Sequence, residues 1–229
     1  MTELHLILAS ASPARTKLLT DAGIAHSVLV SDVDEDAVTA RYGVTDPADT
    51  ALLLARAKAE AVASLPDAEG ALVLGCDSVF ELDGEPYGKP YEADVARQRW
   101  RRMSGRHGVL HTGHWLIDCR DIPADAGGDD AEDGEETNDG GTGATVGAIA
   151  SAGVYFAQLS EAEIDAYIAT GEPLQVAGSF TIDSLGGAFI EKVDGDPHAV
   201  VGLSVSTLRR LLSDAEVAIT DLWLPRPAG

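Results

Sequence analysis

Cationic side chains are scarce in this chain: 16 lysines and arginines stand against 38 aspartates and glutamates, a formal charge of −22 over 229 residues. An excess of that size repels polynucleotides and anionic membrane surfaces. It leaves room for a small phosphorylated ligand held in a local basic pocket, so the few basic residues become informative. Cysteine is scarcer still, with only Cys76 and Cys119, both in apolar strand-like stretches. That placement points to packed, reduced thiols rather than a bridge or a redox centre. Long apolar runs are also missing. No segment approaches the roughly 18 apolar residues of a membrane span, and the first twenty residues hold no apolar core followed by a cleavage site. The expectation is a soluble, cytoplasmic protein with no membrane partner. Hydrophobic residues make up 45% of the chain, enough to bury a core.

The acidic residues are unevenly spread. Between Asp121 and Asp139, "DIPADAGGDDAEDGEETND" carries nine of them and no cation, and the Gly/Thr-rich "GGTGATVG" follows. Nothing there offsets the entropy of ordering, so residues from about 121 to 145 read as a solvated, disordered insertion within a single domain spanning 1–229. Elsewhere apolar strands and amphipathic helices alternate. "LHLILA" and "HSVLVS" predict strands. "GALVLGCDSVFEL" and "EPYGKP" predict a strand and its return across the Asp83-Gly84 turn. "GVLHTGHWLIDC" and "VGAIASAGVYFAQL" predict paired strands on either side of the insertion. Helices are expected in "PARTKLLTDAG", with Ser12 as N-cap and Pro13 at the first position, and in "DPADTALLLARAKAEAVASL", "EADVARQRWRRMSG" and "VSTLRRLLSDA". "SEAEIDAYIATG" adds a helix opened by a Ser160/Glu163 capping box. Hairpins mixed with strand–helix units imply an α/β fold with a mixed, twisted sheet and flanking helices. No internal repeat is present.

Two clusters carry candidate chemistry. A strand that delivers Ser10 and Ser12 to a helix N-terminus gathers free backbone N–H groups, hydroxyls and Arg15 at one spot, which suits an anion such as phosphate. The plainer alternative is that Ser12 caps the helix and Arg15 is solvated. In "GCDSVFELDGEPYGKP", Asp77 ends an apolar run and Lys89 lies on the returning segment. A carboxylate at a strand end can ligate Mg²⁺ or take a proton from water, and a lysine offers a point charge for phosphate; a turn cap and a surface lysine are the structural alternatives. The chain has four lysines, and Lys58 stands on a helix otherwise filled with Ala and Leu.

"LILASASPARTKLL", "DVDED", "ARAKAEAV", "GCDSVFELDGEPYGKP", "MSGRHGVLHTG" and "GEPLQVAGSFTIDSLGGAFIEKVDGDPHAVVGLSVSTLRRLL" resemble, in order, the motifs of the Maf nucleoside triphosphate pyrophosphatases, also called septum formation inhibitor proteins. The likeness covers nearly the whole chain except the acidic insertion and the last dozen residues. It implies two lobes around a cleft, a fold like that of inosine triphosphate pyrophosphatase, and metal-dependent hydrolysis of a nucleoside triphosphate to monophosphate and pyrophosphate. Carried over position by position, the catalytic carboxylate falls on Asp77 and its acidic metal-binding partner on Glu35. The phosphate-binding residues fall on Arg15, Lys58 and Lys89, with Ser10 and Ser12 in the same loop. The implied cofactor is Mg²⁺ or Mn²⁺, and a homodimer is implied as well. Ala14 stands where the family commonly has an arginine. Ser78 and Asp183 replace the Thr and Gln of the branch selective for dTTP and UTP, which argues against that selectivity. "AGSFTIDSLGG" looks instead like an actinobacterial branch. Asp183 is placed to accept from an exocyclic amine or ring N–H of the base, or else is a turn residue.

Rival readings fare worse. "DVDED" fails as a calcium loop, since Ala37 takes the glycine position and Gly43 that of the bidentate Glu. It also fails as an aspartyl-phosphate site, whose later Asp pair would be Asp129-Asp130 in low-complexity sequence. His107 and His111 share a strand face, but His114 points away, so zinc is not expected there. The family's older name raises a different alternative, a nucleotide-binding regulator of cell division with little turnover.

Overall fold

The computed structural model describes residues 4–120 and 141–224; the acidic stretch lies outside them. Seven strands form one mixed sheet: β1 (Leu6–Ala9), β2 (Ser27–Val28), β3 (Leu72–Leu82), β4 (Glu85–Tyr87), β5 (His107–Asp118), β6 (Thr145–Phe156) and β7 (Ile190–Gly195). Their order is β2-β1-β3-β5-β6-β7, with β4 on β3. β1 runs parallel to β2 and β3, and the remaining pairs are antiparallel. The helices are α1 (Pro13–Asp21), α2 (Glu35–Tyr42), α3 (Pro47–Ala63), α4 (Ala93–Met103), α5 (Glu161–Ala169), α6 (Pro197–Val201) and α7 (Val205–Asp214). The expected α/β class and mixed sheet are what the chain forms.

Strand alternation divides the core. On one face of β3, Leu72, Leu74 and Cys76 pack with Leu19 of α1 and Leu208 and Leu211 of α7. Farther along the same face, Phe80 and Leu82 join a separate cluster with Trp100 of α4 and Ile164 of α5. The two clusters are the cores of two lobes, and β3 and β5 run through both. The opposite face takes α3. Gly75 and Gly113 let that helix come close, because a Cβ at either would lie 2.1 Å from the Ala55 carbonyl oxygen or 2.3 Å from that of Ala51.

Local signals behave as the sequence leads one to expect at several points. The Ser160/Glu163 capping box forms, and Asp83 and Gly84 take positive φ at the β3–β4 turn. Other points differ. β2 is only two residues long: its own Val28 and Val30 beyond it are exposed and bury little. Residues 141–144 already belong to the sheet end, where Thr142 donates from both its backbone N–H and its hydroxyl to Asp118, and β6 begins at Thr145. Both cysteines are free thiols, and burial pushes that of Cys76 up to about 12. Among the described residues no helix is long and apolar enough to cross a membrane.

Candidate active site

The edge of β3 opens for four residues. β1 pairs with it as far as Ala9 opposite Gly75, and β4 takes over at Tyr87 opposite Phe80. Cys76, Asp77, Ser78 and Val79 therefore lack a strand neighbour on that side, at the level where the two lobe cores part. This is the expected cleft, and functional side chains enter it from both faces of the sheet.

From the α3 face comes an ion cluster. Lys58 Nζ lies 2.7 Å from Glu35 Oε1 and 2.5 Å from Asp77 Oδ1. Glu35 reaches it from the first turn of α2, whose N-cap Asp34 accepts from Ala37 N–H. Asp77 and Lys58 are nearly enclosed, while Glu35 is half exposed. Burial pushes the Asp77 carboxyl above the ordinary Asp value, against the pull of Lys58 and Arg15. Burial also opposes the charge on Lys58, but Asp77 and Glu35 more than offset it, so the ammonium is held above its usual pKa. Two carboxylates thus converge on one cation.

From the other face comes Arg15, 8% exposed. Its Nη1 donates to Ser10 Oγ (2.9 Å) and to the Cys76 carbonyl (2.8 Å), its Nη2 to Ser78 Oγ (3.1 Å), and its Nε to the Gly202 carbonyl (2.7 Å). A guanidinium has five N–H groups, so one Nη2 hydrogen is left for a ligand. Arg15 is not the solvated residue of the plainer alternative. It brings charge to the cleft and fixes Ser10 and Ser78, leaving little capacity for a bidentate grip. Ser12 is N-cap of α1 by position, yet its side chain makes no capping bond; its backbone N–H donates to Ser10 Oγ (3.2 Å). The first turn of α1 has no acidic residue, which keeps the positive end of the helix dipole uncompensated.

Lys89 follows β4 by two residues, and the antiparallel register carries that segment back along the open edge. Lys89 is exposed and has no ion pair among the described residues. Arg99 donates to the Gly88 carbonyl at 2.5 Å and lies over the Tyr87 ring, steadying the segment from α4. Asp183 is exposed on the loop between Thr181 and Gly186, near enough for its charge to act on Lys17 of α1. Glu172 organises that loop. It accepts from the hydroxyls of Tyr167 (2.9 Å), Thr181 (2.5 Å) and Ser184 (2.9 Å) and from the N–H groups of Leu185 (3.2 Å) and Gly186 (2.9 Å).

The structure therefore brings Glu35, Lys58 and Asp77 into direct contact, and joins Ser10, Arg15 and Ser78 through direct hydrogen bonds across the same open edge. Lys89 and Asp183 touch neither group in the hydrogen bonds formed among the described residues. Sequence reasoning missed α2 as a helix, the anchoring role of Glu172, and the loop at Gly202. The acidic Asp34-Glu35-Asp36 run was the available signal for α2. His107, His111 and His114 do not converge: His111 bonds Ser151 and Glu81, His114 bonds Ser204, and no group of three or more metal-type side chains gathers among the described residues.

A mixed α/β fold with carboxylates, cations and a bare helix N-terminus around one cleft defines a protein that handles phosphorylated ligands. The chain matches the family described as Maf-like protein over residues 5–215, and it belongs to that family. Among its relatives is a nucleoside triphosphate pyrophosphatase of Leifsonia xyli subsp. xyli, 50% identical over 96% of this chain and 97% of the relative. Proteins with the same name from Streptomyces coelicolor (48%, covering 96% and 95%) and Salinispora tropica (49%, covering 96% and 88%) are similarly close.

Proposed function

We propose that this chain hydrolyses nucleoside triphosphates, non-standard ones included, to the monophosphate and pyrophosphate in the cytoplasm. The observation that carries the reading is the open edge of β3, with an Asp77–Lys58–Glu35 cluster on one side and an Arg15–Ser10–Ser78 cluster on the other. The triphosphate lies along that edge, with Ser10, Ser12, the first N–H groups of α1 and Arg15 receiving phosphate oxygens. Lys58 and Lys89 add charge where the departing pyrophosphate gathers it.

Glu35 Oε1 and Asp77 Oδ1 converge on one position, held here by Lys58 Nζ, and a pair of carboxylate oxygens suits a hard divalent cation once the ammonium gives way. Those two residues would hold Mg²⁺ or Mn²⁺, which when bound offsets negative charge on the triphosphate. Asp77 orients the water that attacks the α-phosphorus and takes its proton. The bond from the α-phosphorus to the bridging oxygen breaks, and pyrophosphate leaves with the electron pair. Ser78, held by Arg15 and by Thr112 Oγ1 at 2.9 Å, and Asp183 face the part of the ligand beyond the phosphates, where the base is read.

The test is pyrophosphate release from single nucleoside triphosphates with Mg²⁺ or Mn²⁺. Asp77→Asn is expected to abolish turnover in a folded protein, and near-normal activity would refute the assigned base. Stoichiometric nucleotide binding without turnover by the unaltered protein would favour the regulator reading, and orthophosphate release would indicate a phosphatase.

A further inference from the structure

His114 has no exposed surface and belongs to neither cluster of the cleft, yet it lies beneath the segment that grips Arg15. The side chains of Thr112 and His114, two residues apart on β5, leave the same face of the sheet. Thr112 Oγ1 donates to the Ala199 carbonyl at 2.8 Å, and His114 Nε2 accepts from Ser204 N–H at 2.8 Å. The chain from Asp196 to Ser204 is thereby tied to the sheet at two points. Between the ties sits Gly202, whose carbonyl accepts from Arg15 Nε. A Cβ at Gly202 would lie 3.3 Å from Arg15 Nε and 3.6 Å from Ser78 Oγ, and its φ of +125° suits glycine. The strap therefore presses directly on the guanidinium.

The far tie has further supports. Ser204 is the N-cap of α7, accepting from Thr207 N–H at 3.1 Å, and its hydroxyl donates to Asp196 Oδ2 at 2.5 Å. Leu203 is fully buried in the α1/α7 core. Because Nε2 accepts from a backbone N–H, the ring carries its proton on Nδ1, which is buried beside the backbone of Ala148 and Thr112. Nε2 faces the strap.

We infer that His114 is a positioning residue of the active site: by accepting from Ser204 N–H it fixes the 196–204 strap, and through the Gly202 carbonyl it sets the orientation of the Arg15 guanidinium towards the triphosphate. The inference rests on the assignment of Arg15 to substrate binding. His114 touches no substrate, and its influence passes through two backbone groups.

Three measurements separate this from a purely structural role. The affinity for an α,β-methylene nucleoside triphosphate analogue with Mg²⁺ is measured by calorimetry for the unaltered protein, His114→Asn, His114→Gln, Arg15→Lys and the double variant His114→Asn/Arg15→Lys. Asparagine is polar but too short to reach Ser204, and loss of that bond is expected to weaken affinity about tenfold. Glutamine, whose oxygen reaches the Nε2 position, is expected to restore most of it. In the Arg15→Lys background His114→Asn should add about twofold or less, since contacting groups couple. The Arg15 Nε–H resonance, assigned by its loss in Arg15→Lys, should exchange slowly in the unaltered protein and faster in His114→Asn.

An undiminished effect of His114→Asn in the Arg15→Lys background would overturn the inference, as would an Arg15 Nε–H unchanged by His114→Asn. Should Arg15→Lys leave affinity unaltered, the assignment of Arg15 to substrate binding fails, and the resonance still decides whether His114 governs the guanidinium. Should His114→Asn not fold, His114→Gln carries the same readouts, and a loss of affinity there with an unperturbed Nε–H would also overturn it.

Discussion

Replacing Lys58 with methionine removes the one cation that separates Glu35 from Asp77, and the consequence can be sized from the geometry. Breaking a buried ion pair by deleting one partner costs about 3–5 kcal/mol, because the other charge is left unpaired. Here Asp77 is nearly enclosed but Glu35 is half exposed, so solvent relieves part of the repulsion and about 2–3 kcal/mol is the better expectation. For a chain of this size each kcal/mol moves Tm by about 2–4 °C, which places the Lys58→Met midpoint about 4–12 °C below that of the unaltered protein. The second half of the experiment adds Mn²⁺ without nucleotide. In the unaltered protein the ammonium already bridges both carboxylates, so the ion must displace it and the midpoint should barely move. In Lys58→Met the same oxygens are vacated by their cation, and Mn²⁺ at about 10–100 times its Kd should return about 1.4–2.7 kcal/mol. Thermal scans with and without Mn²⁺ measure both effects, with Lys58→Met/Glu35→Gln as the control that loses the rescue. Equal Mn²⁺ shifts in Lys58→Met and the unaltered protein would refute the reasoning, and so would an unchanged midpoint in the variant.

Gly113→Ala should cost about 1–3 kcal/mol by pushing α3 off the sheet, and because α3 carries Lys58 the loss should come with reduced kcat; a denaturant melt and a rate assay check both. Glu172→Gln weakens the acceptor that gathers the Thr181–Gly186 loop, so discrimination between nucleotides of different base, read as the ratio of their kcat/KM values, should fall more than activity on the best of them. Acid should act on folding in two windows. Burial, with Arg15 adding to it, lowers His114 to about 4, below the ordinary histidine value, so its contribution is complete above about pH 6.5 and is lost as pH falls from there toward 4, by at most roughly 3 kcal/mol. Burial opposes the charge on Glu172, yet the Thr181, Gly186, Ser184 and Tyr167 donors bring it down to about 2, so its contribution is lost only as pH falls from about 4.5 toward 2. Chemical denaturation across pH should show the first window flattened in His114→Gln and the second in Glu172→Gln.

What the sequence reveals and conceals follows from the range of the interactions. The strand in "GALVLGCDSVFEL" and the Ala/Leu helix bearing Lys58 have strong local patterns, and both form as expected, but Asp77 lies in the middle of β3 rather than at a strand end, because β5 pairs with β3 on both sides of it. α2 has no buried residue, so it lacks the apolar stripe by which a helix announces itself, and its acidic start reads more easily as a ligand loop. β7, "IEKVDG", mixes charges along a strand that pairs only with β6, and hides for the same reason. The cleft residues were legible largely through resemblance to a family whose motifs recur in order; the residues alone offered only an anion site at Ser10–Arg15 and a carboxylate at a strand end. The bond between His114 and Ser204 spans 90 residues, and that from Arg15 to Gly202 spans 187. No local periodicity encodes such pairs. That Arg15 would be nearly saturated by carbonyls and hydroxyls follows from tertiary placement alone.

The interrupted edge of β3 gives the protein a built-in gauge of its own occupancy. β5 protects one side of the strand throughout, whereas amides from Cys76 to Val79 that point the other way meet no strand. They should swap their hydrogens with water readily when the cleft is empty. On the proposed placement, a bound triphosphate would stand in for the missing rung and slow them, so a deuterium-uptake trace over those four positions would report ligand residence without any label on the nucleotide.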